Sequence, residues 1–158
     1  MKPLINACSQ AVAACIVCLF VVGMIVVTAC SGGNILEPRP FSNVDDAETR
    51  WKAHNIRNYA ISQRRSCFCV PQNYPLTLQV DSTGKIVSAK DSRGTAVNTA
   101  FGTTIEQMFA EIRRLQNRSG STIQVKYDSV YGYPRSLYAD PIQTAADDEY
   151  GLETTLVR

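Results

Sequence analysis

Alternating apolar and polar positions predict most of the strands in this chain. Apolar side chains occupy every second position in PLTLQV, residues 75–80, and residues 122–127 and 149–157 follow the same rule. Successive side chains of a strand point to opposite faces, so each segment has one face suited to a core. The Asp-Ser-Thr-Gly sequence at 81–84 predicts a tight turn. We expect strands at 75–80, 85–90, 122–127, 135–139 and 149–157.

One further strand, predicted at 58–70, carries two cysteines on a single face. Cys67 and Cys69 share their parity with Tyr59 and Ile61. Side chains two residues apart on a strand point the same way, so both thiols should face the apolar side.

Helical spacing of apolar residues marks two other segments. Residues 44–54 carry an apolar face, and either Ser42 or Asn43 can cap the helix. Near residue 103, Thr103 and Glu106 fit a capping box. A longer apolar stripe follows it, consisting of Ile105, Met108, Phe109, Ile112 and Leu115.

These elements occur in the order α-β-β-β-α-β-β-β. Consecutive strands with short connections favour antiparallel pairing, and amphipathic helices bury their apolar faces against a sheet. We therefore predict an α+β fold, with about six antiparallel strands and both helices on one face of the sheet.

The N-terminal segment predicts export. Lys2 is the only charged residue before Glu37, and residues 11–27 are almost wholly apolar, as in the core of a secretory signal. The apolar run ends in VTAC, residues 27–30, which resembles the lipobox of bacterial lipoproteins. That resemblance implies cleavage before Cys30, acylation of Cys30 with chains such as palmitate, and a membrane lipid as a partner.

The resemblance also defines domain boundaries and a location. It divides the chain into a signal peptide at 1–29, an acylated cysteine with a flexible tether at 30–43, and one α+β domain at 44–158. Ser31 resembles the neutral residue that directs lipoproteins to the outer membrane in a diderm host. The alternative is an uncleaved transmembrane anchor, since an uncharged stretch of this length can span a bilayer.

Composition limits the classes of partner. Removal of residues 1–29 leaves 129 of the 158 residues, enough for one domain with a core. The whole chain carries a formal net charge of +2, and the loss of Lys2 reduces it to +1. So small an excess gives no reason to propose a nucleic-acid partner, and no motif indicates a cofactor.

The export prediction isolates Cys67 and Cys69. Three of the other cysteines leave with the signal, and lipid blocks Cys30. Alpha carbons two residues apart on a strand are about 6.6 Å apart, near the upper limit for a disulfide. The pair has three interpretations: a structural pair, bridged or simply buried; a redox-active pair; or part of a metal site with His54.

Two further groups of residues invite a functional and a structural interpretation. Asp140, Asp147, Asp148 and Glu149 could bind calcium or form a solvated acidic turn, and they lack the spacing of a known calcium loop. In the second group, Tyr131 and Tyr133 flank Gly132 on a predicted turn. The rings could form a recognition surface, or they could fill the core while Gly132 provides a positive φ.

Several separated motifs together resemble one family. Trp51, Tyr59, SCFC at 66–69, YDSVYGYP at 127–134 and ADDEY at 146–150 occur in the order found in a family of small bacterial secreted or lipid-anchored proteins. That family is defined only as a domain of unknown function. The resemblance spans residues 48–157 and implies a one-domain envelope protein without an assigned activity.

The sequence favours binding over catalysis. It contains no nucleophile elbow, no phosphate-binding loop and no His-Glu-x-x-His. We expect a non-catalytic interaction module with an envelope protein as its partner. The alternative is a thiol-disulfide redox or metal-handling protein that uses Cys67 and Cys69.

Overall fold

The computed structural model describes residues 38–68 and 74–157. The predicted signal peptide, Cys30, most of the tether and Cys69 lie outside the described residues. The described elements, in chain order, are α1 (Val44–Ala53), β1 (Tyr59–Cys67), β2 (Leu76–Val80), β3 (Ile86–Lys90), a 3-10 helix (Thr99–Phe101), α2 (Ile105–Gln116), β4 (Thr122–Tyr127), β5 (Pro134–Asp140) and β6 (Tyr150–Val157).

The six strands form one antiparallel sheet in the order β3-β2-β1-β6-β5-β4. The two three-strand segments meet at the centre, where β1 pairs with β6 from Ala60↔Val157 to Cys67↔Tyr150. This arrangement confirms the α+β class and the α-β-β-β-α-β-β-β order.

Helix α1 begins where the sequence predicts. The Asn43 side chain accepts a hydrogen bond from the backbone N–H of Asp46 at 2.8 Å, and acidic residues occupy the first turn, where the helix dipole favours them. The buried Trp51 packs edge to face on Tyr59 of β1, with ring centroids 5.4 Å apart.

Helix α2 begins one residue later than its predicted capping box. Thr104 is the N-cap, and its hydroxyl accepts from the backbone N–H of Gln107, whose side chain bonds back to Thr104. Glu106 therefore does not close the box, because its carboxylate accepts from Trp51 and Tyr59 instead. The predicted apolar stripe is correct, since all five of its residues are buried.

The helices leave one side of the sheet uncovered. Both helices contact the face of β1 that carries its odd-numbered residues. Helix α1 contacts it through Trp51 on Tyr59, and α2 through Met108 beside Gln63. The even-numbered side chains of β1 point away from the core. We call this uncovered surface the open face; it includes Arg64, Ser66, Thr77, Gln79, Lys126, Ser136, Tyr138, Glu153 and Thr155.

Within residues 38–68 and 74–157, no helix has the length and apolar character needed to cross a bilayer. The segment predicted as a signal or anchor lies outside those ranges.

Candidate functional site

Cys67, the last residue of β1, is half-buried and disulfide-bonded. The predicted partner, Cys69, lies outside the described residues, so the pairing of Cys67 with Cys69 stays a prediction. The structure places Tyr150 of β6 directly opposite Cys67.

Beside Cys67 lies a polar depression that we call the cysteine-side pocket. Its volume is about 340 Å³. The Arg65 guanidinium lies over the Tyr150 ring, 5.4 Å from its centroid, and the Tyr150 hydroxyl donates to Glu111 at 2.5 Å. The lining residues are Arg65, Thr103, Gln107, Glu111, Tyr150 and Leu152.

The charged groups of this pocket engage one another. Arg114 donates twice to Glu111, at 2.7 and 2.8 Å. Hydrogen bonds from Arg114 and then from Tyr150 outweigh partial burial and lower the pKa of Glu111. Burial, followed by the bond to Glu111, raises the pKa of Tyr150 well above its usual value. These contacts tie α2 to β6.

His54 lies away from this pocket. It is the C-cap of α1, its Nε2 lies 2.9 Å from the Val130 carbonyl oxygen, and its ring contacts Tyr131 at 4.8 Å between centroids. His54 precedes β1 whereas Cys67 ends it, and a nine-residue strand is about 26 Å long from first to last residue. The structure therefore does not bring His54 to Cys67 as a metal ligand.

The Tyr131-Gly132-Tyr133 turn packs on α1. Gly132 has φ +81, and a Cβ added there would lie 2.3 Å from the Ala47 carbonyl oxygen. Tyr133 is only 3% exposed and contacts the Trp51 ring at 6.2 Å. Tyr131 is half-buried against His54. These contacts support the packing interpretation. Recognition by the turn stays a prediction, and within the turn only the half-buried Tyr131 ring could contact a partner.

The acidic residues at the end of β5 and just before β6 lie near the same part of the sheet, since Ala139 pairs with Tyr150. Asp140 ends β5, whereas Asp147, Asp148 and Glu149 immediately precede β6. Both carboxylate oxygens of Asp148 and one of Asp140 are enclosed and receive no hydrogen bond from the described residues. Residues 38–68 and 74–157 contain no group of three or more His, Cys, Asp or Glu arranged to hold a metal ion.

A different constellation lies on the open face. Cross-strand pairing aligns Lys126, Ser136, Glu153 and Arg64 in one row across β4, β5, β6 and β1. Directly paired side chains lie about 5 Å apart at their Cβ atoms, so these groups are immediate neighbours.

Part of this row borders a cavity of about 440 Å³, which we call the open-face cleft. Lys126, Arg135 and Glu153 line it and form no ion pair with another described residue. The cleft is also lined by Tyr127, Ser136, Thr154 and Thr155.

One exposed aromatic ring lies on the open face, and a second follows the end of β1. Tyr138, in the row next to the cleft, is 41% exposed. Phe68 directly follows β1 and is 87% exposed. Burial of this apolar ring against a partner would be favourable.

Sequence reasoning missed the open-face cleft. The alternation in β4 and β6 already identified Lys126 and Glu153 as side chains opposite the core. What it could not supply was the strand order, which makes these residues neighbours.

The fold and surface define the class: an antiparallel sheet with two helices on one face and an exposed polar and aromatic surface on the other. Residues 43–158 match the Family of unknown function (DUF6174), and the chain belongs to that family. Searches of curated proteins and of solved structures found no match.

Proposed function

We propose that this chain is a lipid-anchored protein of the bacterial cell envelope that binds a partner protein through its open face. Binding is its molecular role, and the domain carries out no reaction of its own. The single observation that carries the proposal is the exposure of the Tyr138 ring and of charged side chains on the one sheet surface that neither described helix covers.

Rigid position and exposed aromatic area support a recognition role. Tyr138 belongs to a strand with hydrogen-bonded neighbours on both sides, so its ring has a fixed base. Aromatic residues are enriched at protein interfaces because they bury a large area at low conformational cost. Phe68, at the end of β1, offers a second ring for burial.

The anchor rests on the VTAC sequence and the tether that follows Cys30. Two or three acyl chains hold a protein on a membrane, whereas one chain binds only marginally. Metabolic labelling with a palmitate analogue tests this part: Cys30→Ser should abolish the label, and Cys18→Ser should retain it. Equal labelling of the two variants would contradict acylation at Cys30.

Capture of a partner tests the binding role. The acylated protein is retrieved from its native envelope as wild type and as the Phe68→Ser plus Tyr138→Ser variant. A specific partner should be lost from that variant and retained by Phe101→Ser, which removes another 41% exposed aromatic ring away from the open face. Equal recovery by both variants would contradict open-face binding.

A thiol-disulfide function is the second candidate, favoured by the disulfide at Cys67 and by the neighbouring Arg65. Thiol titration with mass measurement, before and after a mild reductant, tests it. A bridge that opens and re-forms readily would favour this candidate, and one that resists reduction would exclude it.

A further inference from the structure

We propose that the open-face cleft binds an acidic segment of the partner polypeptide. This inference rests on the proposed function and adds the chemistry of the partner. It assigns Lys126 and Arg135 as the groups that pair with carboxylates, with Ser136 and Thr155 as hydrogen-bond donors beside them.

Two cations from adjacent strands reach the same cavity. Lys126 lies on β4 and Arg135 on β5, and both line the cleft together with the Ser136 and Thr155 side chains. Arginine pairs with a carboxylate through two parallel hydrogen bonds, and lysine contributes a compact charge. A cavity of about 440 Å³ has room for one or two acidic side chains.

The local charge complements an acidic ligand. The cleft is lined by two basic side chains, Lys126 and Arg135, and one acidic side chain, Glu153, and a third basic residue, Arg64, pairs with Glu153 across the strands. Lys126 and Arg135 have no carboxylate within ion-pair distance among the described residues. By contrast, Arg113 and Arg114 on the helix side already pair with acidic residues. The cleft thus holds cations available for an incoming carboxylate.

Glu153 distinguishes a polypeptide from a membrane surface. Its carboxylate sits in the row between Ser136 and Arg64, and a uniformly anionic lipid surface would repel it. A polypeptide can place carboxylates on Lys126 and Arg135 and a polar or basic group on Glu153. The cleft is also concave, which suits protruding side chains better than a flat array of headgroups.

The test uses the full chain in its native envelope, with a photoreactive amino acid in place of Ser136. We expect a cross-link to a polypeptide, at or next to Asp or Glu. Lys126→Glu plus Arg135→Glu should reduce the yield at least about tenfold, because attraction becomes like-charge repulsion. The matched control, Lys85→Glu plus Arg118→Glu, reverses two exposed cations outside the cleft and should leave the yield unchanged.

Each outcome decides between the two proposals. A polypeptide adduct that survives the cleft reversal would overturn the acidic-segment inference and leave open-face binding intact. An adduct to phospholipid would overturn the inference in favour of a membrane ligand. Absence of any adduct from Ser136 and from Tyr138 would contradict open-face binding itself. Thermal melts of the purified variants show whether a lost adduct reflects unfolding. Lys126→Gln plus Arg135→Gln removes charge without adding repulsion, so it should give an intermediate loss of adduct yield.

Discussion

The Tyr59 hydroxyl on the central strand β1 donates a 2.6 Å hydrogen bond to Oε2 of Glu106 at the start of α2. The same hydroxyl accepts from the backbone N–H of Ile105 at 3.1 Å, and Glu106 also accepts from the Trp51 indole N–H at 2.9 Å. One carboxylate therefore joins α1, α2 and the sheet. It connects two residues, Trp51 and Tyr59, on which the family resemblance depends.

Removal of this hydroxyl should destabilise the fold. Tyr59→Phe deletes the bond to Glu106 and leaves the buried N–H of Ile105 without an acceptor, so we expect a loss of about 1–3 kcal/mol in the free energy of unfolding. Urea denaturation measures it. Tyr138→Phe removes a hydroxyl from the open face and should change stability by less than about 0.5 kcal/mol. Equal effects of the two substitutions would refute the role of Tyr59.

Gln63 anchors α2 to the sheet. Its side-chain amide donates to the Thr103 carbonyl and accepts from the Thr103 N–H, both at 2.9 Å, inside the core. Gln63→Leu leaves both Thr103 backbone groups unpaired and should lower the free energy of unfolding by about 2–4 kcal/mol. Gln79→Leu, on the exposed parity of β2, is the control and should be nearly neutral in the same denaturant series. A neutral Gln63→Leu would show that water replaces the amide.

Gly132 is required for the close approach of its turn to α1. Gly132→Ala combines a positive φ with a Cβ 2.3 Å from the Ala47 carbonyl oxygen, so the turn must move. Gly84→Ala is a matched control, since Gly84 has φ +80 and open space around it. We expect Gly84→Ala to lower the free energy of unfolding by about 1–2 kcal/mol and Gly132→Ala to lower it by more. Thermal melts that rank them in the opposite order would contradict the close contact.

Acid stability should depend on Glu111. Its folded-state pKa lies below the usual 4.5, so it contributes stability above that pH and loses it as pH falls through the folded-state value. Arg114→Gln removes the largest cause of the lowered pKa. We expect a smaller decline of Tm on acidification below about pH 4.5 in this variant. Parallel Tm curves for variant and wild type would show that the pair does not contribute.

The buried face of β1, β2, β4 and β6 was predictable from the sequence, because burial imposes a period of two. The stripe from Ile105 to Leu115 was predictable for the same reason at helical spacing. The predicted start of α2 was wrong by one residue, since the Glu106 carboxylate accepts hydrogen bonds from Trp51 and Tyr59 and does not bond to the helix cap. Local sequence does not contain that information.

Neighbours across the sheet were not predictable. The pairing of β1 with β6 joins residues about ninety positions apart, as in Ser62↔Thr155. Alternation fixes which way Arg64 and Glu153 point, but only this pairing makes them adjacent. The open-face cleft therefore required the structure, whereas the exposed character of Lys126 and Glu153 did not.

Position-dependent cross-linking in the native envelope tests whether the domain binds a partner protein through its open face. A photoreactive residue replaces Tyr138 on the open face or the exposed Ala110 on α2, one at a time in the full chain. We expect one polypeptide adduct that forms from Tyr138 and not from Ala110. The same adduct from Ala110 and none from Tyr138 would contradict it.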